Sequence, residues 1–165
     1  GKVNACQLGA LEKALDLATS AEVKLDAASG SLVDVDAAPW HADVAEAAEW
    51  EELEMTANDT LMEAKGDELT ETLKNMDAKV KAGRSLYEAL GGDLAAFHRM
   101  EKKIALGRVR TFEAMVFTGF KKMVDDPQKT WRFAKQSRDQ LKKEGFKLHP
   151  AMLAKIESTV SLRKR

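Results

Sequence analysis

Apolar side chains in this chain recur at intervals of three and four residues, and this spacing limits how it can fold more than any other feature. The clearest run is Leu69, Leu73, Met76 and Val80, spaced four, three and four residues apart. On an α-helix such positions share one face, whereas on a strand they would fall on both faces. Good helix formers dominate the chain, and runs of strand-favouring residues are missing. The sequence therefore predicts an all-α protein.

Glycines, prolines and capping residues divide this pattern into about seven or eight helices. Gly83 and Gly145 follow apolar stripes, where glycine commonly ends a helix, and Gly107 is predicted to mark a break or a kink. Because the connections are short, neighbouring helices are predicted to pack antiparallel in a bundle. The predicted core includes Trp50, Leu69, Leu73, Met76, Val80, Tyr87, Phe112, Phe120 and Trp131.

The chain is predicted to consist of an N-terminal helix and linker, residues 1–38, followed by a helical bundle, residues 39–165. A faint repeat aligns residues 50–90 with residues 112–152, and both copies contain Lys-x-Gly-x-x-Leu. If the repeat is genuine, the bundle consists of two similar packed modules. The alternative is a coincidence, because corners of this kind recur widely between helices.

Charge is distributed very unevenly along the chain. Residues 1–98 carry 8 Lys/Arg against 20 Asp/Glu, whereas residues 99–165 carry 18 Lys/Arg against 7 Asp/Glu. A basic surface attracts nucleic acid or an anionic membrane, and it can steer a protein partner. The residues predicted to contact a partner are Lys102, Lys103, Arg108, Arg110, Lys142, Lys143, Arg163, Lys164 and Arg165. The alternative is that the acidic and basic parts face each other within one bundle.

No constellation of residues in the sequence points to catalysis. A zinc site needs three or four converging ligands, but the three histidines are far apart in the sequence and Cys6 is the only cysteine. The glycine pair Gly91-Gly92 is too short for a phosphate-binding loop and is followed by the acidic Asp93. The sequence therefore predicts no enzyme activity, no metal and no cofactor. No run of about 18 apolar residues is present, so no transmembrane helix is expected.

Two features recur together between residues 44 and 160. Trp50 and Trp131 each lie on a predicted helix, and a helix, a Lys-x-Gly corner and a further helix follow one another at 81–90 and again from 143. This combination resembles the WY-type helical modules of oomycete effectors that enter plant cells. The resemblance implies that Trp50 and Tyr87 pack together, although Phe112 and His149 stand at the matching positions of the second copy. No Arg-x-Leu-Arg leader is present.

The sequence therefore predicts a non-catalytic helical module that binds a protein partner. The resemblance implies a secreted virulence effector that binds host proteins inside a host cell; without it, a cytoplasmic or nuclear protein is expected. Two alternatives stay open. One is a nucleic-acid-binding protein that uses the basic second part, and the other is a structural subunit that assembles by stacking its acidic part on a neighbour's basic part.

Overall fold

The computed structural model describes residues 3–33, 49–57, 61 and 64–162. In these ranges the protein is built from helices and contains no β-strand, which confirms the predicted all-α class. A short 3-10 helix, Gly30–Val33, follows the first α-helix. The α-helices are α1 (Ala5–Ser29), α2 (Trp50–Thr56), α3 (Gly66–Leu90), α4 (Ala95–Lys122), α5 (Pro127–Glu144) and α6 (Pro150–Leu162).

The described ranges hold six α-helices, which differs from the predicted count of seven or eight. Gly83 lies inside α3 and Gly107 lies inside α4, so neither glycine ends a helix. A Cβ on Gly83 would lie 2.5 Å from Cε1 of Phe97, and one on Gly107 would lie 2.7 Å from Cδ2 of Leu73. Both positions therefore need glycine for close packing rather than for a turn.

Capping residues mark the observed helix ends better than isolated glycines do. The Asn4 side chain accepts from the Gln7 N–H, and the Gln7 side chain accepts in turn from the Asn4 N–H. At α5 the Asp126 carboxylate accepts from the Lys129 N–H, and the helix ends at Gly145, whose φ of 69° is left-handed. Caps of this kind stabilise a helix by about 1 kcal/mol each.

The chain divides into two compact units, each of which has most of its residue contacts within itself. Unit 1 combines Gly1–Ala37 with Asp67–Arg108, and unit 2 combines Ala38–Gly66 with Val109–Arg165. The residue range of α4 contributes to both. Residues 50–90 of the proposed repeat likewise supply both units, whereas residues 112–152 fall in unit 2 alone.

Unit 1 encloses an aliphatic core between α1, α3 and the first part of α4. The predicted stripe on α3 is buried there, and Tyr87 packs edge-on against Phe97 with ring centroids 4.7 Å apart. The Tyr87 hydroxyl donates to the Leu11 carbonyl oxygen at 3.1 Å, which ties α3 to α1. The core cluster comprises Ala18, Ala21, Leu25, Val33, Leu73, Met76, Val80, Phe97, Met100 and Ile104.

Unit 2 has a more aromatic core. Trp50 lies 5.5 Å from Phe117 and 5.6 Å from Phe120, measured between ring centroids, and Phe120 lies 5.3 Å from Phe133. These contacts join α2, α4 and α5, while α6 packs against both α2 and α5. Among the predicted core residues of this unit, Trp50, Phe112 and Phe120 are buried. Trp131 is only partly buried, unlike the predicted core position.

Candidate functional site

Most of the cations predicted to contact a partner from unit 1 are already in ion pairs. Lys103 Nζ lies 2.9 Å from Asp26 Oδ1 and 3.6 Å from a Glu22 carboxylate oxygen. Arg108 lies 3.2 Å from the Asp77 carboxylate. Lys102 is exposed on the same helix. Lys103 and Arg108 thus connect α4 to carboxylates of α1 and α3, so both cations are already paired inside unit 1.

Glu22 is the centre of this network. Its carboxylate accepts two hydrogen bonds from the Arg99 guanidinium, at 2.8 and 2.9 Å. Burial alone would raise the pKa of the Glu22 carboxyl, but the Arg99 hydrogen bonds and the Lys103 charge outweigh it and hold the pKa below its ordinary value. Glu22 is therefore a charged structural group rather than a proton donor.

Arg110 belongs to a buried cluster in unit 2. Its guanidinium lies 3.0 Å from Glu113 Oε1, and only 8% of Arg110 is exposed. The other Glu113 oxygen accepts from the His149 backbone N–H at 2.9 Å. His149 Nδ1 in turn accepts from the Ala151 N–H at 3.1 Å, at the start of α6. The cluster therefore joins α4 to the beginning of α6.

Of the remaining predicted contact residues, two lie at the end of α5 and three lie outside the described residues. Lys142 and Lys143 are exposed in the last turn of α5, where positive charge stabilises the helix end. Arg163, Lys164 and Arg165 lie outside the described residues. Of the cations predicted to contact a partner, Lys103, Arg108 and Arg110 are therefore already in ion pairs.

A groove of about 470 Å³ lies in unit 2 between the beginning of α5 and the second half of α6. Ligand pockets commonly span about 300–1,000 Å³, so this groove is large enough for a small ligand or for side chains of a partner. Asp126 and Pro127 start α5 next to the exposed Val124. The lining residues are Val124, Pro127, Gln128, Thr130, Trp131, Lys155, Thr159 and Leu162.

Large apolar side chains are exposed at this groove. Val124 is 72% exposed and Leu162 is 63% exposed, and both line it. The partly buried Trp131 adds an aromatic surface, and its Nε1–H donates to the Val160 carbonyl oxygen at 3.1 Å. Exposed apolar side chains that share one concave surface indicate a binding site more strongly than scattered ones do.

The groove's hydroxyl groups already donate hydrogen bonds within unit 2. Thr130 Oγ1 lies 2.6 Å from the Met123 carbonyl oxygen and 2.8 Å from that of Asp126. Thr159 Oγ1 donates to the Lys155 carbonyl oxygen at 2.7 Å. The Lys155 ammonium group is therefore the strongest polar feature that the groove presents to a partner.

Lys155 lies over aromatic rings. Its Nζ is 5.6 Å from the Trp50 ring centroid and 5.8 Å from that of Phe120. A cation over a ring face is attracted by the ring quadrupole. Among the described residues, no carboxylate lies within ion-pairing distance of Lys155. It also lines a smaller adjoining pocket of about 200 Å³, so it stands where the two concavities meet.

The smaller pocket contains a different arrangement of charge. Glu54 accepts from the Trp50 indole Nε1–H, and its other oxygen lies 3.5 Å from Lys121 Nζ. Lys121 and Lys155 both line this pocket, but only Lys121 has a carboxylate partner there. The site therefore presents one neutralised cation and one that is available to an anion.

The groove is not predicted by the sequence. Trp131 is predicted to lie in the core, and Lys155 is not among the predicted contact residues, although it is the only cation in the sequence of α6. That isolation was the one available signal. Within the described ranges, no group of three or more His, Cys, Asp or Glu residues is placed to hold a metal ion. None of the described helices is long and apolar enough to span a membrane.

No protein-family model, no curated protein and no solved structure matches this chain. The resemblance to WY-type modules therefore stays a prediction. Trp50 and Tyr87, which it pairs, belong to different compact units, and each ring packs against phenylalanines of its own unit.

Proposed function

We propose that this chain is a non-catalytic helical module that binds a protein partner at the groove of unit 2. The observation that carries the proposal is the concentration of Val124, Trp131 and Leu162 around one concavity that also contains Lys155. Protein interfaces typically bind through a few apolar or aromatic anchors surrounded by polar groups. The two sides of the groove are helical, which suits a partner that inserts side chains from an amphipathic helix.

The ion pairs of Lys103, Arg108 and Arg110 support a protein partner over nucleic acid. Nucleic-acid affinity comes largely from cations that replace counterions along the phosphate backbone. A cation already paired with a protein carboxylate contributes less to that exchange. Charge on the chain would then steer the encounter, while the apolar groove would supply most of the affinity.

Each unit would serve as a scaffold built as a small antiparallel bundle. α5 and α6 pack against each other and are joined by residues 145–149 only, which supports this arrangement. On the resemblance to WY-type modules, the partner would be a host protein and the chain a virulence effector secreted into the host cell. A plant-cell lysate is therefore the first source in which to look for it.

Affinity capture from a nuclease-treated lysate tests the proposal with matched variants. We expect the wild-type chain to retain a discrete protein, and Val124→Ser with Leu162→Ser to lose it. Val23→Ser is the control, because Val23 is 61% exposed on α1 of unit 1 and lies outside the groove. Melting curves of all three chains check that each is folded.

Three outcomes would contradict the proposal. Equal capture by the groove variant and the wild type would place the binding surface elsewhere. Recovery of material only before nuclease treatment would favour nucleic acid as the partner. Recovery of nothing but further copies of the chain would favour the self-assembling subunit.

A further inference from the structure

Lys155 distinguishes the groove from a simple apolar surface. The inference drawn from this residue concerns the same groove and rests on the proposed function. We infer that the partner's docking segment is acidic and amphipathic, with a carboxylate that pairs with Lys155 beside an apolar side chain that enters the groove. Affinity and specificity would thus come from two different parts of one segment.

The first support is the environment of the ammonium group. Lys155 is partly buried, and the rings of Trp50 and Phe120 lie beneath it. Lys103, which is 13% exposed at its side chain, has the carboxylates of Glu22 and Asp26 beside it. Lys155 lacks such a partner among the described residues. A carboxylate brought to a partly desolvated ammonium group gains more than it would at a fully solvated one.

The second support is the charge of the groove's surroundings. Residues 121–135 include the groove-lining residues from Val124 to Trp131 and carry five Lys/Arg against two Asp, and of these cations Lys121 is paired with Glu54. One of the two acids, Asp126, is the N-cap of α5 and accepts from the Lys129 N–H. Lys135 Nζ lies 5.4 Å from the Trp131 ring centroid, which adds a cation beside the groove's aromatic residue. This surface is complementary to an acidic segment.

The third support is the position of Lys155 at the junction of the groove and the smaller pocket. On a helical segment, side chains three or four residues apart lie on the same face. One such pair can place an acid at Lys155 and an apolar residue against Val124, Trp131 or Leu162. A bare anion would contact only Lys155. An uncharged apolar segment would contact only the apolar residues of the groove.

Selection from a displayed random peptide library tests this chemistry without knowledge of the partner. The full chain is the bait, in its wild-type form and as Lys155→Glu. We expect the wild type to enrich peptides with Asp or Glu three or four positions from a large apolar residue. The Lys155→Glu bait should enrich Lys or Arg at that position instead, because the local charge is reversed.

A double-mutant cycle on one enriched peptide then measures the pair. Replacing the peptide's acid by its amide should weaken binding to the wild type by about tenfold. The same replacement should have little effect on Lys155→Met, whereas Lys142→Met, an exposed control on α5, should behave like the wild type. A cycle that shows no coupling between the acid and Lys155 would overturn the inference.

The possible failures are distinguishable. Peptides that lose binding to Val124→Ser with Leu162→Ser, but show no acidic preference and ignore Lys155, would overturn the inference and leave groove binding intact. If no enriched peptide depends on Val124 and Leu162, both the inference and the proposed function are overturned.

Discussion

Among the described residues, the partly buried Lys103 of unit 1 and Lys155 of unit 2 differ in whether a carboxylate lies beside them. In unit 1, Arg99 and Lys103 reach across to the acids of α1, so the cations of one helix neutralise the anions of another. In unit 2, Arg110 and Glu113 form a buried pair, while Lys155 lies at a groove with rings beneath it and, among the described residues, with no carboxylate beside it. A count of cations therefore does not locate a binding surface, because some of those cations are already paired with carboxylates.

The largest expected effect comes from removing the buried carboxylate of unit 2. Glu113→Ala leaves the Arg110 guanidinium and the His149 N–H without the acceptor that Glu113 supplies, and should reduce the free energy of unfolding by about 3–5 kcal/mol. Urea denaturation measures the change. Glu157→Ala, at an exposed position on α6, is the control and should change stability little. A small loss at Glu113 would mean that the cluster relaxes without it.

The second-largest expected effect on stability comes from adding a methyl group to a closely packed glycine of unit 1. Gly83→Ala should destabilise the protein by about 1–2 kcal/mol, because the new methyl group meets the fully buried Phe97 ring. Gly9→Ala is the matched control, since nothing lies within 4 Å of a Cβ there, and it should stabilise α1 by about 0.5–1 kcal/mol. Thermal unfolding of both variants compares them. Stabilisation by both changes would show that Phe97 moves aside freely.

The network around Glu22 predicts a pH dependence specific to unit 1. Because the folded-state pKa of Glu22 is lowered, its contribution to stability is fully present above the ordinary glutamate pKa of about 4.3 and is lost as the pH falls through the lowered value. The wild type should therefore exceed Glu22→Gln in stability near neutral pH, and this difference should disappear in acid. Denaturation at a series of pH values measures the difference.

Removal of Arg99 provides the control for that experiment. In an Arg99→Gln background, the carboxylate loses the hydrogen bonds that lower its pKa most, so the effect of Glu22→Gln should be smaller at every pH. An unchanged difference would indicate that Lys103 alone holds the carboxylate in its charged form.

The smallest expected effect is at Lys155. Lys155→Met removes the cation over the two rings and should change the free energy of unfolding by no more than about 1 kcal/mol, because the aliphatic part of the side chain is retained. Chemical denaturation measures this change. A loss comparable to that of Glu113→Ala would make Lys155 a structural residue and remove the contrast between the two units.

The helices of this protein are largely predictable from local signals. The stripe on α3 and the Asp126-Pro127 start of α5 act within a few residues, so the sequence alone indicates them. Gly83 does not end its helix and Gly107 does not divide one, and both differences have a physical reason. A glycine at a turn and a glycine beneath a neighbouring side chain look alike until Phe97 and Leu73 are brought beside them by tertiary packing.

The candidate site was less predictable because its parts come from separate segments. Val124 and Trp131 belong to the α4–α5 region, and Lys155 and Leu162 belong to α6. Arg99 pairs with Glu22, which lies 77 residues away in the sequence. Neighbouring residues in the sequence therefore do not indicate that the charge of Arg99 is neutralised. Composition indicated that cations would matter, but only the three-dimensional contacts separate the paired from the unpaired ones.

The interleaving of the two units has a consequence for synthesis. A chain leaving the ribosome presents residues of unit 1, then of unit 2, then of unit 1 again, and finally of unit 2. Trp50 therefore emerges well before Phe117 and Phe120, the rings against which it packs. Multidomain chains usually fold from the N-terminus as each unit is completed. Here that order is interrupted, so Trp50 stays without the rings it packs against until the segment that carries Phe117 and Phe120 has been synthesised.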